Sequence, residues 1–206
     1  KYLSSNSDKI IMNSYGETYE GRSLEYLIIS SKNNISRLDN IRKNNLLLSD
    51  PRNIKSNVAS KIIKENPGIY WLSYNVHGDE ASSTEAVMQV AYRLVASNDS
   101  ETSNILNNSV VILFPCLNPD GRDRYVYWYK SAKSKILNID QFDYEHDEPW
   151  PGGRTNHYWF DLNRDWVWTV HPESRGRMEV YQKWLPQIHV DYHEMGFNRN
   201  YFTMPG

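Results

Sequence analysis

His77-Gly78-Asp79-Glu80 sets an imidazole and a carboxylate three residues apart, between an apolar run, Ile69 to Val76, and a helix-like segment from Ser82. Protein-bound zinc takes imidazole nitrogen and carboxylate oxygen at about 2.0 to 2.2 Å, and a sharp strand-to-helix turn can aim both residues at one point. The same pattern also suits a Glu80 that caps the helix beside a surface His77, because two residue types at one spacing recur by chance. A later stretch, His189-Val190-Asp191-Tyr192-His193-Glu194, offers further ligands of the right type. Open α/β sheets place their sites at the carboxyl ends of strands, and both stretches can end at one such edge. On a strand His189, Asp191 and His193 share a face, so pattern alone does not choose between the two histidines. His193 lies nearer the strand end and is preferred, while His189 reads as a packed or hydrogen-bonded core histidine.

These residues need a scaffold. Tyr15 to Tyr19 and Leu24 to Ser30 read as strands paired around Glu20-Gly21-Arg22. Ile54, Val58 and Ile62 form one helical stripe, which Pro67-Gly68 ends before the strand Ile69 to Val76. Ser82, Ser83 and Thr84 suit a helix start, with Val87, Met88, Ala91, Leu94 and Val95 as its apolar face to Ser97. Val110 to Phe114 is the continuous run expected of a strand buried on both faces, and Asn118-Pro119-Asp120-Gly121 after it is turn chemistry. Ser131 to His157 shows no period and is punctuated by Pro149, Pro151, Gly152 and Gly153, so it is expected to border a cleft. Pro172 fits the first turn of a helix with Met178, Tyr181, Trp184 and Leu185 on one face, ended by Pro186 before an extended Ile188 to His193. Alternating strands and helices predict an α/β domain with a largely parallel sheet.

Composition narrows the partners. The 206 residues, 39% hydrophobic and 23% charged, fit one globular domain over residues 1–206. Twenty-three Lys plus Arg against 25 Asp plus Glu give a net charge of -2, which removes the electrostatic case for nucleic acid or an anionic membrane as main partner. No apolar stretch approaches the roughly 20 residues of a membrane span. Cys116 is the only cysteine, so a disulfide framework and a thiolate metal cluster are excluded. The chain opens at Lys1 without Met or an apolar leader and reads as a processed product, which leaves export to the periplasm or the exterior open.

Taken in order, His77-Gly78-Asp79-Glu80, Asn118-Pro119-Asp120-Gly121, Asp161-Leu162-Asn163-Arg164-Asp165-Trp166 and Asp191-Tyr192-His193 resemble the zinc carboxypeptidases of the M14 class. The segment Gly16 to Leu24 is similar to that family's opening strand pair, so the resemblance runs over essentially the whole chain. It implies a three-layer α/β/α fold with a mixed, largely parallel central sheet. It also implies one zinc ion held by His77, Glu80 and His193, the His₂Glu set of carboxypeptidase A, with water in the fourth position. Zinc polarises the scissile carbonyl and lowers the pKa of water towards about 7, so no Ser-His or Cys-His pair is needed. Asn163 and Arg164 match the pair that grips the substrate's C-terminal carboxylate, the arginine fork making two parallel hydrogen bonds. The implied partner is a peptide or peptide-like substrate with a free carboxylate. Adjacent side chains reach one ligand only where the chain has left strand geometry. Without the resemblance, Arg164 could equally pair with Asp161 or Asp165. Asp191 and Tyr192 stand beside the third ligand and could orient it, although Tyr192 is expected in the core on the other sheet face.

The match has departures. Asp79 stands where digestive members often have arginine, which reverses the local charge. The family's oxyanion arginine has no clear counterpart after the Asn118 turn, where Tyr129, Lys130 and Lys133 lie; Arg154 in the glycine-flanked loop is the candidate stabiliser. The general-base glutamate is expected beyond Gly206, and Glu194 is expected to face away, so the 206-residue chain alone is expected to be a nearly inactive peptidase lacking its C-terminal part. Two other readings share these residues: a zinc amidase on peptidoglycan or acyl-amino-acid substrates, and a catalytically silent peptide- or glycan-binding module. Trp128, Trp150, Trp159, Trp166 and Trp168 would serve the latter, though most of these rings are expected in the core.

Overall fold

The computed structural model describes residues 1–136 and 138–196. Eight α-helices lie among them: α1 (Tyr2–Asn6), α2 (Lys32–Ser36), α3 (Leu38–Ser49), α4 (Ser56–Glu65), α5 (Ser82–Ala96), α6 (Ser100–Asn108), α7 (Pro119–Ala132) and α8 (Pro172–Trp184). Five strands, β1 (Ile10–Glu17), β2 (Ser23–Ile29), β3 (Gly68–Tyr74), β4 (Ser109–Phe114) and β5 (Ile188–Tyr192), form one sheet in the order β1-β2-β4-β3-β5.

The β-branched run of β4 is buried at every position, as a strand covered on both faces requires. It pairs antiparallel with β2 and parallel with β3, and β3 pairs parallel with β5. The sheet is mixed. Its parallel half, β4-β3-β5, carries both segments with candidate ligands and ends them at one edge.

Side chains alternate across this sheet and feed two cores. On one face Trp71 stacks on Phe114 at 4.1 Å and Phe114 on Tyr26 at 5.4 Å, beneath Ile41 of α3 and Val180 and Trp184 of α8. On the other, Ile29, Tyr74, Val111 and Leu113 meet Val87, Ala91 and Val95 of α5 and Leu106 of α6. Helices therefore cover both faces, giving three layers. No helix of the described residues is long and apolar enough to cross a membrane.

Several elements differ from the sequence pattern. The hairpin begins at Ile10 rather than Tyr15, and its register shifts between Ser14 and Gly16, where Gly16 adopts φ +146°. This is a bulge that suits glycine. Asn118-Pro119-Asp120-Gly121 is not a free turn but the start of α7: Asn118 Oδ1 accepts from the Gly121 N–H at 3.0 Å, with Pro119 in the first turn. The same residues serve turns and helix starts, and the polar, aromatic sequence after them shows no clean apolar stripe.

The face of α8 is corrected too. Glu173, Ser174, Gly176 and Arg177 are buried beside Val180 and Trp184. Gly176 explains the close approach, since a Cβ there would lie 2.3 Å from the Tyr15 carbonyl oxygen of β1. Glu173 is 2% exposed, and neither carboxylate oxygen has a hydrogen-bond partner among the described residues. A helix N-terminus favours an anion by about 0.3–1 kcal/mol. Burial outweighs it and, with repulsion from Asp120 and Asp165, pushes the carboxyl up to about 7.

The folded chain thus holds this proton where the unfolded chain has lost it. Stability from this group falls as pH rises between the ordinary glutamate value of about 4.3 and pH 7, and stays reduced above. Glu173→Gln should match wild type in urea midpoint at pH 4. At pH 8 its midpoint should be higher, by an unfolding free energy on the order of 3 kcal/mol. Identical curves at pH 8 would contradict the burial argument.

Candidate metal centre

The loop after β3 is built by Asn75, a fully buried residue at φ +58° that reverses the strand's direction. Its side-chain amide donates to the carbonyls of His77 at 2.7 Å and Glu80 at 2.9 Å, closing residues 77–80 into a compact turn. Gly78 lets that turn dock: a Cβ would lie 2.2 Å from the backbone at Gly121 and Arg122, and 2.5 Å from the Gly153 carbonyl oxygen. The start of α7 and the 152–156 loop are thereby locked against the ligand turn. Arg124 reinforces the lock through the carbonyls of Gly152 and Asn156.

Within this junction Glu80 sits between two imidazoles. His77 Nδ1 lies 2.8 Å from Glu80 Oε1, and His193 Nδ1 lies 3.1 Å from Glu80 Oε2. The far nitrogen of each ring is held by another carboxylate. His77 Nε2 contacts Asp161 Oδ1 at 3.0 Å, and His193 Nε2 contacts Asp191 Oδ2 at 2.9 Å. An Nε2–H donated to a carboxylate aims each ring so that Nδ1, once it gives up the proton it shares with Glu80, is the nitrogen left to coordinate an ion. One ligand atom from each of His77, Glu80 and His193 lies within 4.8 Å of the others. The donor set, two imidazoles and one carboxylate, fits a zinc site. The sequence alternative of Glu80 as a helix cap is replaced: its carboxylate faces the histidines, and Glu194 caps α5 by accepting from the Ser82 N–H at 2.8 Å.

Charge follows this geometry. Burial would raise the Glu80 carboxyl, but hydrogen bonds from His193, His77 and the Glu194 N–H outweigh it and bring it to about 2. Hydrogen bonds to Asp191 and Glu80 hold His193 protonated up to about 10. Asp161 is lowered despite its burial, by the Asn163 N–H, His77 and Arg154. Asp79 is raised by burial, and Glu148, which accepts from the Gly153 N–H, is pushed by burial up to about 7.

The Ser131 to His157 segment contributes Arg154. Its guanidinium donates to Asp161 Oδ2 at 3.0 Å and stands 3.4 Å from His77 Nδ1 and 3.9 Å from Glu80 Oε1. Tyr129, Lys130 and Lys133 lie at the far end of α7 and beyond it, away from this cluster's contacts. Asn163 and Arg164 lie on a 3-10 turn, Leu162–Arg164, capped by Asp161. The chain has left strand geometry there. Arg164 is exposed and, among the described residues, forms no ion pair: Asp161 is engaged by His77 and Arg154, and buried Asp165 accepts from the N–H groups of Val170 and His171.

Other expectations fare differently. Tyr192 does face away from the ligands but stacks on Tyr74 at 4.2 Å in a half-exposed position rather than in the core. Trp166 is partly buried beneath the Arg177 guanidinium, 4.0 Å from its ring centre. Trp150, Trp159 and Trp168 are exposed, against the expectation that most such rings are interior, because the loops carrying them run over the surface. Sequence reasoning did not find Asn75 or the role of Asp161. Asp161 was within reach through its place two residues before Asn163; nothing in the spacing singles out Asn75.

The family model for zinc carboxypeptidase, peptidase M14, matches residues 2–184, which include His77, Glu80, Asn163 and Arg164 but not His193. The chain is 26% identical over 145 residues to carboxypeptidase 2 of Trichophyton rubrum, covering 68% of this chain and 22% of that protein. A metallo-carboxypeptidase structure from Burkholderia cenocepacia superposes with a TM-score of 0.60 at 15% identity, covering 95% of this chain and 39% of the other. The carboxypeptidase A structure from Helicoverpa armigera gives 0.54 at 15%, covering 94% and 43%. These structural likenesses show the fold, and the chain spans less than a quarter of the length of its curated relatives. The match over most of its residues identifies the chain as a member of the zinc carboxypeptidase family, the M14 peptidases.

Proposed function

We propose that this chain carries the metal-binding and carboxylate-recognising part of a metallocarboxypeptidase that hydrolyses C-terminal peptide bonds. The observation that carries the reading is the convergence of His77 Nδ1 and His193 Nδ1 on one carboxylate, each ring backed at Nε2 by a second. His77, Glu80 and His193 would hold one zinc ion. Bound zinc supplies Lewis acidity, which polarises a carbonyl oxygen and makes water a better nucleophile at neutral pH.

The protein's own groups divide the remaining tasks. Arg164, exposed and without a carboxylate partner among the described residues, takes the C-terminal carboxylate in a charge-assisted fork, and Asn163 adds a neutral donor. That clamp makes the last peptide bond the one presented to the centre. Arg154, tethered by Asp161 beside His77, places positive charge where the carbonyl oxygen gains negative charge. Asp161 and Asp191 are committed to histidines and Glu194 to the start of α5. The general base is therefore assigned to none of these three. A zinc amidase for peptidoglycan stem peptides or acyl amino acids would use the same centre. The exposed Trp150 and Trp159 rings, 4.7 Å apart, favour that second reading because such rings stack on sugars.

Zinc titrated into the chain should reach about one equivalent by elemental analysis, and His193→Ala should lose it. A wild-type chain that takes up no zinc would sink the metal site. Binding of a short peptide with a free C-terminus should fall roughly 10- to 100-fold in Arg164→Ala, with little change for the C-amidated peptide. Equal losses for both would remove the clamp, and preference for an N-acyl or stem-peptide ligand would favour the amidase. In release of a C-terminal residue by a complete enzyme that contains this chain, Arg154→Ala should lower kcat on the order of a hundredfold at similar KM. Unchanged turnover would discard that role.

A further inference from the structure

A line of hydrogen bonds runs back from His193 along the seam between β3 and β5. Asp191 uses Oδ2 for His193 and, through Oδ1, accepts from the Ser73 hydroxyl at 2.7 Å. Ser73 Oγ lies 3.2 Å from His189 Nε2. A hydroxyl has one proton, and the shorter contact to an ionised carboxylate takes it. Ser73 therefore accepts from His189, which must carry its proton on Nε2.

The register of the ladder makes this alignment. Ser73 pairs with Asp191 and Trp71 with His189, so the four side chains share one face of the sheet. Ser73 is fully buried. The His189 ring is fixed by Trp71, Trp166 and Tyr181, with centroids at 5.8, 5.3 and 5.7 Å. Partial desolvation keeps this imidazole below its ordinary pKa, with Asp191 opposing and Arg177 assisting, although the ring is exposed at the sheet edge; in either protonation state its Nε2–H can donate to Ser73.

The geometry points to Ser73 and His189 as positioning residues for the third metal ligand: through Asp191 they fix the ring orientation that turns His193 Nδ1 toward Glu80. This inference rests on the zinc-site reading above. His189 is thus not a ligand, and although hydrogen-bonded as expected it is exposed on the edge strand rather than set in the core. It is the anchored end of a relay that crosses from β5 to β3 and back, so the ligand's aim depends on the strand pairing itself.

Zinc affinity of the 206-residue chain, measured in competition with a chromophoric chelator, tests the relay. Ser73→Ala should weaken binding roughly tenfold, in line with the loss of a partner that orients a ligating histidine. His189→Phe keeps the ring packing and drops the donor; it should weaken binding about three- to tenfold, while His189→Gln, which keeps an N–H donor, should stay within about twofold of wild type. The double variant Ser73→Ala, His189→Phe should bind no more weakly than Ser73→Ala alone, because the second change acts only through the first. Melting temperatures recorded with chelator in excess should be alike for His189→Phe and His189→Gln. Additive losses, equal losses in the Phe and Gln variants, or a His189→Phe chain that binds as tightly as wild type would each overturn the relay while leaving the zinc site standing. Absence of zinc binding by the wild-type chain would overturn both.

Discussion

Parallel pairing of β3 with β5, in the register that sets Ser73 beside Asp191, is the constraint on which the site depends. Residues far apart in sequence, around His77 and around His193, become neighbours only because both strands run the same way and end at the same edge. An antiparallel partner would carry His193 to the opposite end of the sheet. A one-residue slip would turn Asp191 and His189 to the other face and leave Tyr192 in their place. The core supports this pairing from both sides, through Trp71 on one face and Tyr74 on the other.

On that scaffold the centre concentrates carboxylates around two imidazoles. Clustered buried carboxylates repel one another and lose hydration, which is costly unless each finds a donor or a cation. Glu80, Asp161 and Asp191 find them in His77, His193, Arg154 and backbone N–H groups. Glu173, which finds none among the described residues, shows the other outcome, a carboxyl that keeps its proton near neutrality. The same chain thus contains both solutions for a buried acid, and the difference lies in the donors that reach it.

Much of this was legible in the residues. The apolar runs of β3 and β4, the helix closed by Pro186 and the strand-turn-helix placement of His77 and Glu80 follow from periodicity and turn chemistry. Helices α2, α3 and α6 were not, because they are short or rich in asparagine and serine and bury few apolar residues each. The α7 start read as a turn because Asn-Pro serves both. In the site, ligand types could be read from sequence, but their orientation could not: the backing of His77 by Asp161 and the turn built by Asn75 arise from contacts between loops. Choosing His193 over His189 rested on strand-end position; the fold gives the physical distinction, since His189, exposed on the edge strand, is directed to Ser73 while His193, just beyond β5, turns Nδ1 to Glu80.

The close backbone contacts at Gly78 carry a mechanical consequence. With no side chain between them, the ligand turn, the start of α7 and the 152–156 loop touch through main-chain atoms and cannot slide past one another without losing packing. They behave as a single block, so accommodation of a bound molecule falls to groups outside it, the exposed side chains of neighbouring loops, while the ligand turn itself stays still.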